Sequence, residues 1–164
     1  MADAKSLNDL FLDNLRRAYD AEQRLVAALP ELRDAATSGE LKHAFQTHFE
    51  ETEVHVNRLE QIFEWWDEDP EQEKCKSIEG TINEAKHVRK LNAEPDVKDA
   101  ALIAAAQETE HVEIAIYGTL RTWAAILGKT EAMEALEVTL EEEKAADQLL
   151  TNIAATLNLK AAHK

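Results

Sequence analysis

The chain has 164 residues, 45% of them hydrophobic, and carries 33 acidic against 18 basic residues for a formal charge of −15. That length fits a single domain with a sizeable core, and the negative charge opposes binding to phosphate backbones or anionic lipid, which excludes nucleic acid as a partner. No stretch is long and apolar enough to span a membrane. The lone Cys75 rules out an intramolecular disulfide or a thiolate cluster. The opening MADAKSLNDLFLDNL carries acids inside its apolar run and lacks the marks of a secretory signal, so a cytoplasmic location is expected.

With four Gly, three Pro and abundant Ala, Leu, Glu and Lys, the chain reads as all-α. Helix A is predicted over about residues 6 to 36, with Ser6 as N-cap and Pro30, which has no amide donor, as a candidate kink. Its inward face is Phe11, Leu15, Ala18, Glu22, Leu25, Leu29 and Leu32, in steps of three and four, so Glu22 sits where a core leucine belongs. Thr37-Ser38-Gly39 breaks the pattern. Helix B covers about 40 to 66 with Leu41, Phe45, His48, Phe49, Thr52, Val56, Leu59 and Phe63, and stops before Asp67-Glu68-Asp69-Pro70. Its His48, Glu51 and His55 share one side.

A polar stretch follows, then a short amphipathic crossover helix over about 77 to 91 with Ile78, Ile82, Ala85 and Val88 or Arg89, stopped by Asn92 and Pro95. Helix C is predicted over about 96 to 127, with Gly128 as its stop and the stripe Ala106, Glu110, Glu113, Tyr117, Leu120, Ala124, Leu127. Helix D covers about 130 to 159 with Leu136, Leu140, Glu143, Asp147, Leu150 and Leu157, leaving Lys160 to Lys164 as a fraying tail.

Two short hairpins joined by one long connection are the connectivity of a ferritin-like four-helix bundle, here with an additional short helix in the crossover. The halves also match at a shift of about 91 positions, with Glu22 on Glu113, Leu29 on Leu120, Glu51 on Glu142 and Leu59 on Leu150, which implies a pseudo-twofold bundle.

Glu22, Glu110, Glu113 and Glu143 each interrupt an apolar stripe. A buried, unpaired carboxylate is costly, so a positive partner is expected: a metal ion or, for Glu22, Arg16 or Arg24. All four long helices present acid or imidazole at similar height. Oxygen-rich ligands with one or two imidazoles suit Fe or Mn, with Zn as a substitute, and two such ions are neutralised by about four carboxylates.

The ferritin-like template places Glu-x-x-His on two helices, which requires His at position 54 and near 145 or 146; those positions hold Val54, Ala145 and Ala146. The literal Glu108-x-x-His111 reads as accidental, because Glu108 lies off the inward stripe. The substitutes offered by spacing are His48 before Glu51, His55 after it, and Asp147 after Glu143. Taken singly, each histidine is more often a core or surface residue, and Tyr117 a packed aromatic. Trp65, Trp66 and Trp123 read as packing or a subunit contact.

The stretches Tyr19-Asp20-Ala21-Glu22, His48-Phe49-Glu50-Glu51-Thr52, Arg58-Leu59-Glu60, Glu79-Gly80, DAALIAAAQ from Asp99, EHVEIAIYGTL from Glu110 and TLEEEKAAD from Thr139 resemble the YciE/YciF-like ferritin-like proteins of bacteria over nearly the whole chain. The resemblance implies a ferritin-like bundle, usually dimeric, with a di-metal site and an association with stress response. Carried over by position, it implies the ligands Glu22, Glu51, Glu110, Glu113, Glu142 or Glu143, and Asp147, with His48 and His111 in or just outside the ligand shell. Members more often have an aromatic at the position of Val112 and usually lack His55, which makes His55 a poor candidate for a shared ligand. Two functions follow as expectations. The first is a homodimeric protein with two Fe or Mn ions that meets O2 or peroxide in an oxidase, peroxidase or catalase-like reaction. The other is a non-catalytic, stress-induced helical scaffold or binding protein with a vestigial site. Iron storage is a third idea and demands a large closed shell.

Overall fold

The structure, a computed structural model, describes residues 4–163; Met1 to Asp3, which open the N-terminal segment, and Lys164, which ends the expected tail, lie outside the described residues. Five helices follow in order: α1 (Leu7–Ala35), α2 (Gly39–Trp65), α3 (Lys76–Arg89), α4 (Pro95–Ile126) and α5 (Thr130–Ala162). The expectation of an all-α, ferritin-like bundle holds, and there is no strand among the described residues. One difference concerns an end: helix α5 continues through Ala162, past the point where fraying was expected, while α1 runs to Ala35 with Pro30 inside it, within the predicted span.

Each helix end has a local cause. Ser6 Oγ accepts from Asp9 N at 3.1 Å and Ser38 Oγ from Leu41 N at 3.4 Å, so side chains satisfy amides that the first turns of α1 and α2 leave open. Gly128 ends α4 at φ 71°. There Lys129 N donates to Ala124 O and Gly128 N to Ala125 O, the paired bonds of a Schellman cap. Asp67, at φ 56°, closes α2 in the same way through Glu68 N to Phe63 O and Asp67 N to Glu64 O.

Helices α1 and α2 form one antiparallel hairpin and α4 and α5 the other, with α3 laid against α4 and α1. Two buried aspartates fix the connections. Asp99, at the start of α4, accepts from Thr37 N, Thr37 Oγ1 and Ser38 N at 2.7–2.8 Å and ties the α1–α2 turn to the other hairpin. Asp20 accepts from Cys75 N at 2.8 Å and Arg24 Nε at 2.7 Å, anchoring the start of α3 on α1. Trp66 stacks on Phe11 with centroids 4.4 Å apart and donates to Asn8, so this aromatic serves packing within the chain.

The apolar core is divided in two. One half gathers Leu25, Leu29, Leu41, Phe45, Ile78, Leu102, Ile103, Leu150 and Ile153. The other gathers Phe11, Leu15, Leu59, Ile62, Phe63, Tyr117, Leu120, Leu136 and Leu140. Between them every long helix turns polar inward: Glu22 on α1, His48, Thr52 and His55 on α2, Glu110 and Glu113 on α4, and Glu143 on α5 are all buried. The apolar halves on either side fix the register of this belt, since sliding a helix by one turn exposes leucines.

Candidate metal centre

The four acids that interrupt the apolar stripes converge. Glu22, Glu110, Glu113 and Glu143 are at most 3% exposed, and the histidines beside them, His48 and His55, are buried as well. One ligand atom each from His48, Glu110, Glu113 and Glu143 lies within 4.8 Å of all the others, and the same holds for Glu22, His55 and Glu143. Glu143 belongs to both groups.

The contacts inside the belt are close without being satisfied. His48 Nε2 lies 3.2 Å from Glu110 Oε1 and 3.8 Å from Glu143 Oε2, and His55 Nδ1 lies 3.1 Å from Glu143 Oε1 and 3.5 Å from Glu22 Oε1. Yet His48 Nε2, His55 Nδ1, Glu22 Oε2, Glu110 Oε2 and both oxygens of Glu113 and of Glu143 are buried without an aligned hydrogen-bond partner. Such atoms are rare in folded proteins and each needs a reason. Lysine and arginine do not provide it: Arg16 pairs with Glu68 and Arg24 with Asp20, and among the described residues neither cation type comes within ion-pair distance of the four acids. A hydrogen bond does hold one of them, from the Tyr117 hydroxyl to Glu22 Oε1.

Burial dominates the protonation of the acids. It drives Glu113 and Glu110 well above the ordinary carboxylate value; Glu143 and Glu22 add to the rise for both, and for Glu110 the charge of His48 works against it. Glu22 is raised for the same first reason, burial. Glu143 is lowered, because the two histidines outweigh the effect of its burial. Burial also opposes charge on His48 and His55, but the surrounding carboxylates prevail and push both up to about 10.

This donor set fits a pair of divalent ions. Four carboxylates carry four negative charges, two doubly charged ions balance them, and oxygen with imidazole is the ligand chemistry of first-row divalent metals. Each converging group brings one histidine and at least one acid of its own, and Glu143 is placed to serve both. The orphaned atoms are the ones a metal would use.

The remaining expected ligands stand elsewhere. Glu51 is half-exposed, with its carboxylate 3.9 Å from His48 Nδ1. Glu142 sits at the rim, held by Arg58 at 2.7 Å and His55 Nε2 at 3.0 Å. Asp147 turns aside to accept from Gln107 at 3.1 Å, and His111, 70% exposed, lies 3.4 Å from it on the outer surface. Neither belongs to the converging groups: Asp147 is partly buried and held by Gln107, and His111 is exposed beside it. His55, discounted on resemblance, is fully buried in the belt. Its signal was present in the sequence: seven residues after His48 is two helical turns on one face. Val54 is 49% exposed, so a template histidine at that position would point to solvent.

The pseudo-twofold explains the asymmetry of the ligands. A shift of about 91 places Glu22 on Glu113 and Glu51 on Glu142, and the structure has the first pair in the belt and the second at its rim. The same shift pairs His48 with Thr139 and Thr52 with Glu143. Helix α2 therefore carries His48 where α5 carries Thr139, and α5 carries the shared acid Glu143 where α2 carries Thr52.

Comparison with known proteins agrees with this architecture. Protein YciF of Escherichia coli (strain K12) is 43% identical over 162 residues, covering 98% of each chain. The crystal structure of the E. coli stress protein YciF superposes with a TM-score of 0.92 at 42% identity, covering 96% of this chain and 99% of that one. The YcfI protein of Rhodopseudomonas palustris superposes at 0.87 with 40% identity, covering 92% and 96%. The family described as Domain of unknown function (DUF892) matches residues 6–163, and the chain belongs to it as a YciF-like helical-bundle protein.

Proposed function

We propose that this protein is a stress-response protein with two divalent ions, iron or manganese, held in the acidic belt, and that it reacts there with O2 or peroxide. One observation carries the reading: two converging ligand groups share Glu143, bring four carboxylates together, and have no lysine or arginine among the described residues to neutralise them. A cytoplasmic location and a homodimer belong to the same proposal. Among the described helices none is long and apolar enough to cross a membrane.

When bound, a pair of redox-active divalent ions supplies the electrons that reduce O2 or peroxide, and zinc would occupy the same ligands without redox chemistry. The protein contributes position and charge. His55 Nε2 faces Glu142, itself held by Arg58, so with metal bound the remaining ring proton would lie outward and Nδ1, once deprotonated, would be the ligand atom. Tyr117 donates to Glu22, which fixes that carboxylate and keeps a proton beside the centre. The two apolar halves of the core limit water to the belt, strengthening every charge interaction within it.

The test is anaerobic loading with Fe(II) or Mn(II), removal of unbound metal, and measurement of peroxide consumption beside His48→Ala and His55→Ala. Metal-dependent consumption by the native protein, lost in both variants, is expected. Tight metal binding with no reaction would refute the redox part. If no metal binds and Glu22→Ala with Glu113→Ala only raises thermal stability, a non-catalytic scaffold is the correct reading instead.

A further inference from the structure

A cavity of about 110 Å³ opens between α2 and α5 and ends on the belt. Its walls are Ala44, Phe45, Ala146 and Leu150, and at its inner end stand His48 and Glu110. His48 Nε2 and Glu110 Oε2 are buried there without aligned partners, so the cavity joins an apolar chamber to unsatisfied polar atoms of the centre. The small side chains of Ala145 and Ala146, where the ferritin-like template calls for a histidine, leave this space open.

The volume decides what the chamber suits. Water occupies about 30 Å³ per molecule in the liquid, so O2 or hydrogen peroxide fills only a fraction of it, whereas an apolar cavity of about 150 Å³ takes up benzene. An apolar wall also gains nothing from hydrogen peroxide, which is polar throughout. It favours a molecule with a compact hydrocarbon body and one oxygenated end.

We infer that this cavity binds the hydrocarbon tail of a small alkyl hydroperoxide, delivering its O–O group to the His48 and Glu110 side of the centre. The inference rests on the two-metal reading for its chemistry but not for binding, which the cavity provides alone. With a redox-active divalent pair held there, cleavage of the O–O bond would take one electron from each ion and two protons from solvent, giving an alcohol and water. Glu51, half-exposed and beside the cavity, disfavours anionic tails, so a neutral hydroperoxide is the better match.

Binding is tested first with tert-butyl alcohol, the unreactive product analogue, by ligand-detected NMR on metal-free and zinc-loaded protein. Saturable binding is expected in both, weakened at least fivefold by Ala146→Leu, which fills the chamber. Ala145→Met is the second filling variant should Ala146→Leu fail to fold. Absence of saturable binding to the native protein, or equal binding by a folded filling variant, overturns the inference. Iron-loaded protein is then given tert-butyl hydroperoxide and hydrogen peroxide separately. A rate ratio favouring the alkyl substrate, falling at least fivefold in the filling variant, supports the assignment. A ratio unchanged by filling overturns it while leaving peroxide chemistry at the centre intact. Consumption of neither peroxide refutes the redox reading and, with it, the substrate assignment.

Discussion

Replacing Glu113 by Gln separates the cost of the belt from its use. Glu113 has both carboxylate oxygens buried without partners, and burial, with Glu143, Glu22 and Glu110 nearby, raises its protonation well above the ordinary value of 4.5. A carboxyl group whose folded-state pKa is raised favours the native state only while protonated, so its contribution is lost as pH rises above the unfolded value. Above 4.5 the metal-free native protein holds this proton to higher pH than the unfolded chain does, and that retention destabilises it increasingly as pH rises. Gln has no proton to keep, and its amide can donate to the neighbouring acids. The metal-free variant is therefore expected to gain about 1–3 kcal/mol at pH 7, or roughly 2–10 °C in Tm, and nothing near pH 4.5. Metal should reverse the order: the native protein gains about 2.7 kcal/mol at a hundredfold excess of ion over Kd, and Glu113→Gln gains far less. Thermal unfolding with and without Mn(II) at several pH values reads both effects. A variant destabilised without metal at pH 7, or stabilised by Mn(II) as much as the native protein, would refute this reasoning.

Other perturbations probe the frame and the protons. Asp99→Ala removes a buried acceptor of three hydrogen bonds and should cost about 3 kcal/mol in denaturant unfolding while leaving metal affinity unchanged; a loss under 1 kcal/mol would show that the clamp between hairpins is dispensable. Tyr117→Phe deletes the donor to Glu22 and should weaken metal binding about tenfold with the helical content retained, measured by competition with a chelating dye. His48 and His55, raised from 6.5 to about 10, are both charged in the metal-free protein at pH 7, while Glu110 and Glu113, raised well above 4.5, hold their protons to higher pH than ordinary carboxylates. Binding of two ions should therefore release protons, at least those of the two imidazoles, seen as buffer-dependent heats in calorimetry. The imidazole contribution to metal-free stability is complete below pH 6.5 and is lost as pH rises through 10, so the stabilising effect of metal should grow over that window.

The helices were legible because their apolar stripes are long and their stops are chemical: Ser6, Ser38 and Gly128 act at the ends that the pattern marks. The acids of the belt were legible for the same reason, since a glutamate inside a leucine stripe has one orientation available. What the pattern could not resolve is the depth to which an inward residue reaches. Glu142 stands one residue, about 100°, from Glu143, and Glu51 stands about 60° round from His48, and those rotations are the difference between centre and rim. Asp147 shares the face of Glu143, but its carboxylate accepts from Gln107 and not from the belt, a partner that spacing does not reveal. His55 was set aside by comparison with relatives when its own spacing from His48 already placed it inside. Resemblance carries positions that relatives share, and the buried His55 is passed over by it.

The central claim is that two cations complete the acidic belt. Elemental analysis of protein loaded anaerobically with Mn(II) and freed of unbound metal tests it most directly, with Glu143→Ala run beside it. Two ions per native chain are predicted, with both lost when the shared acid is removed; a native chain that retains none would contradict the account.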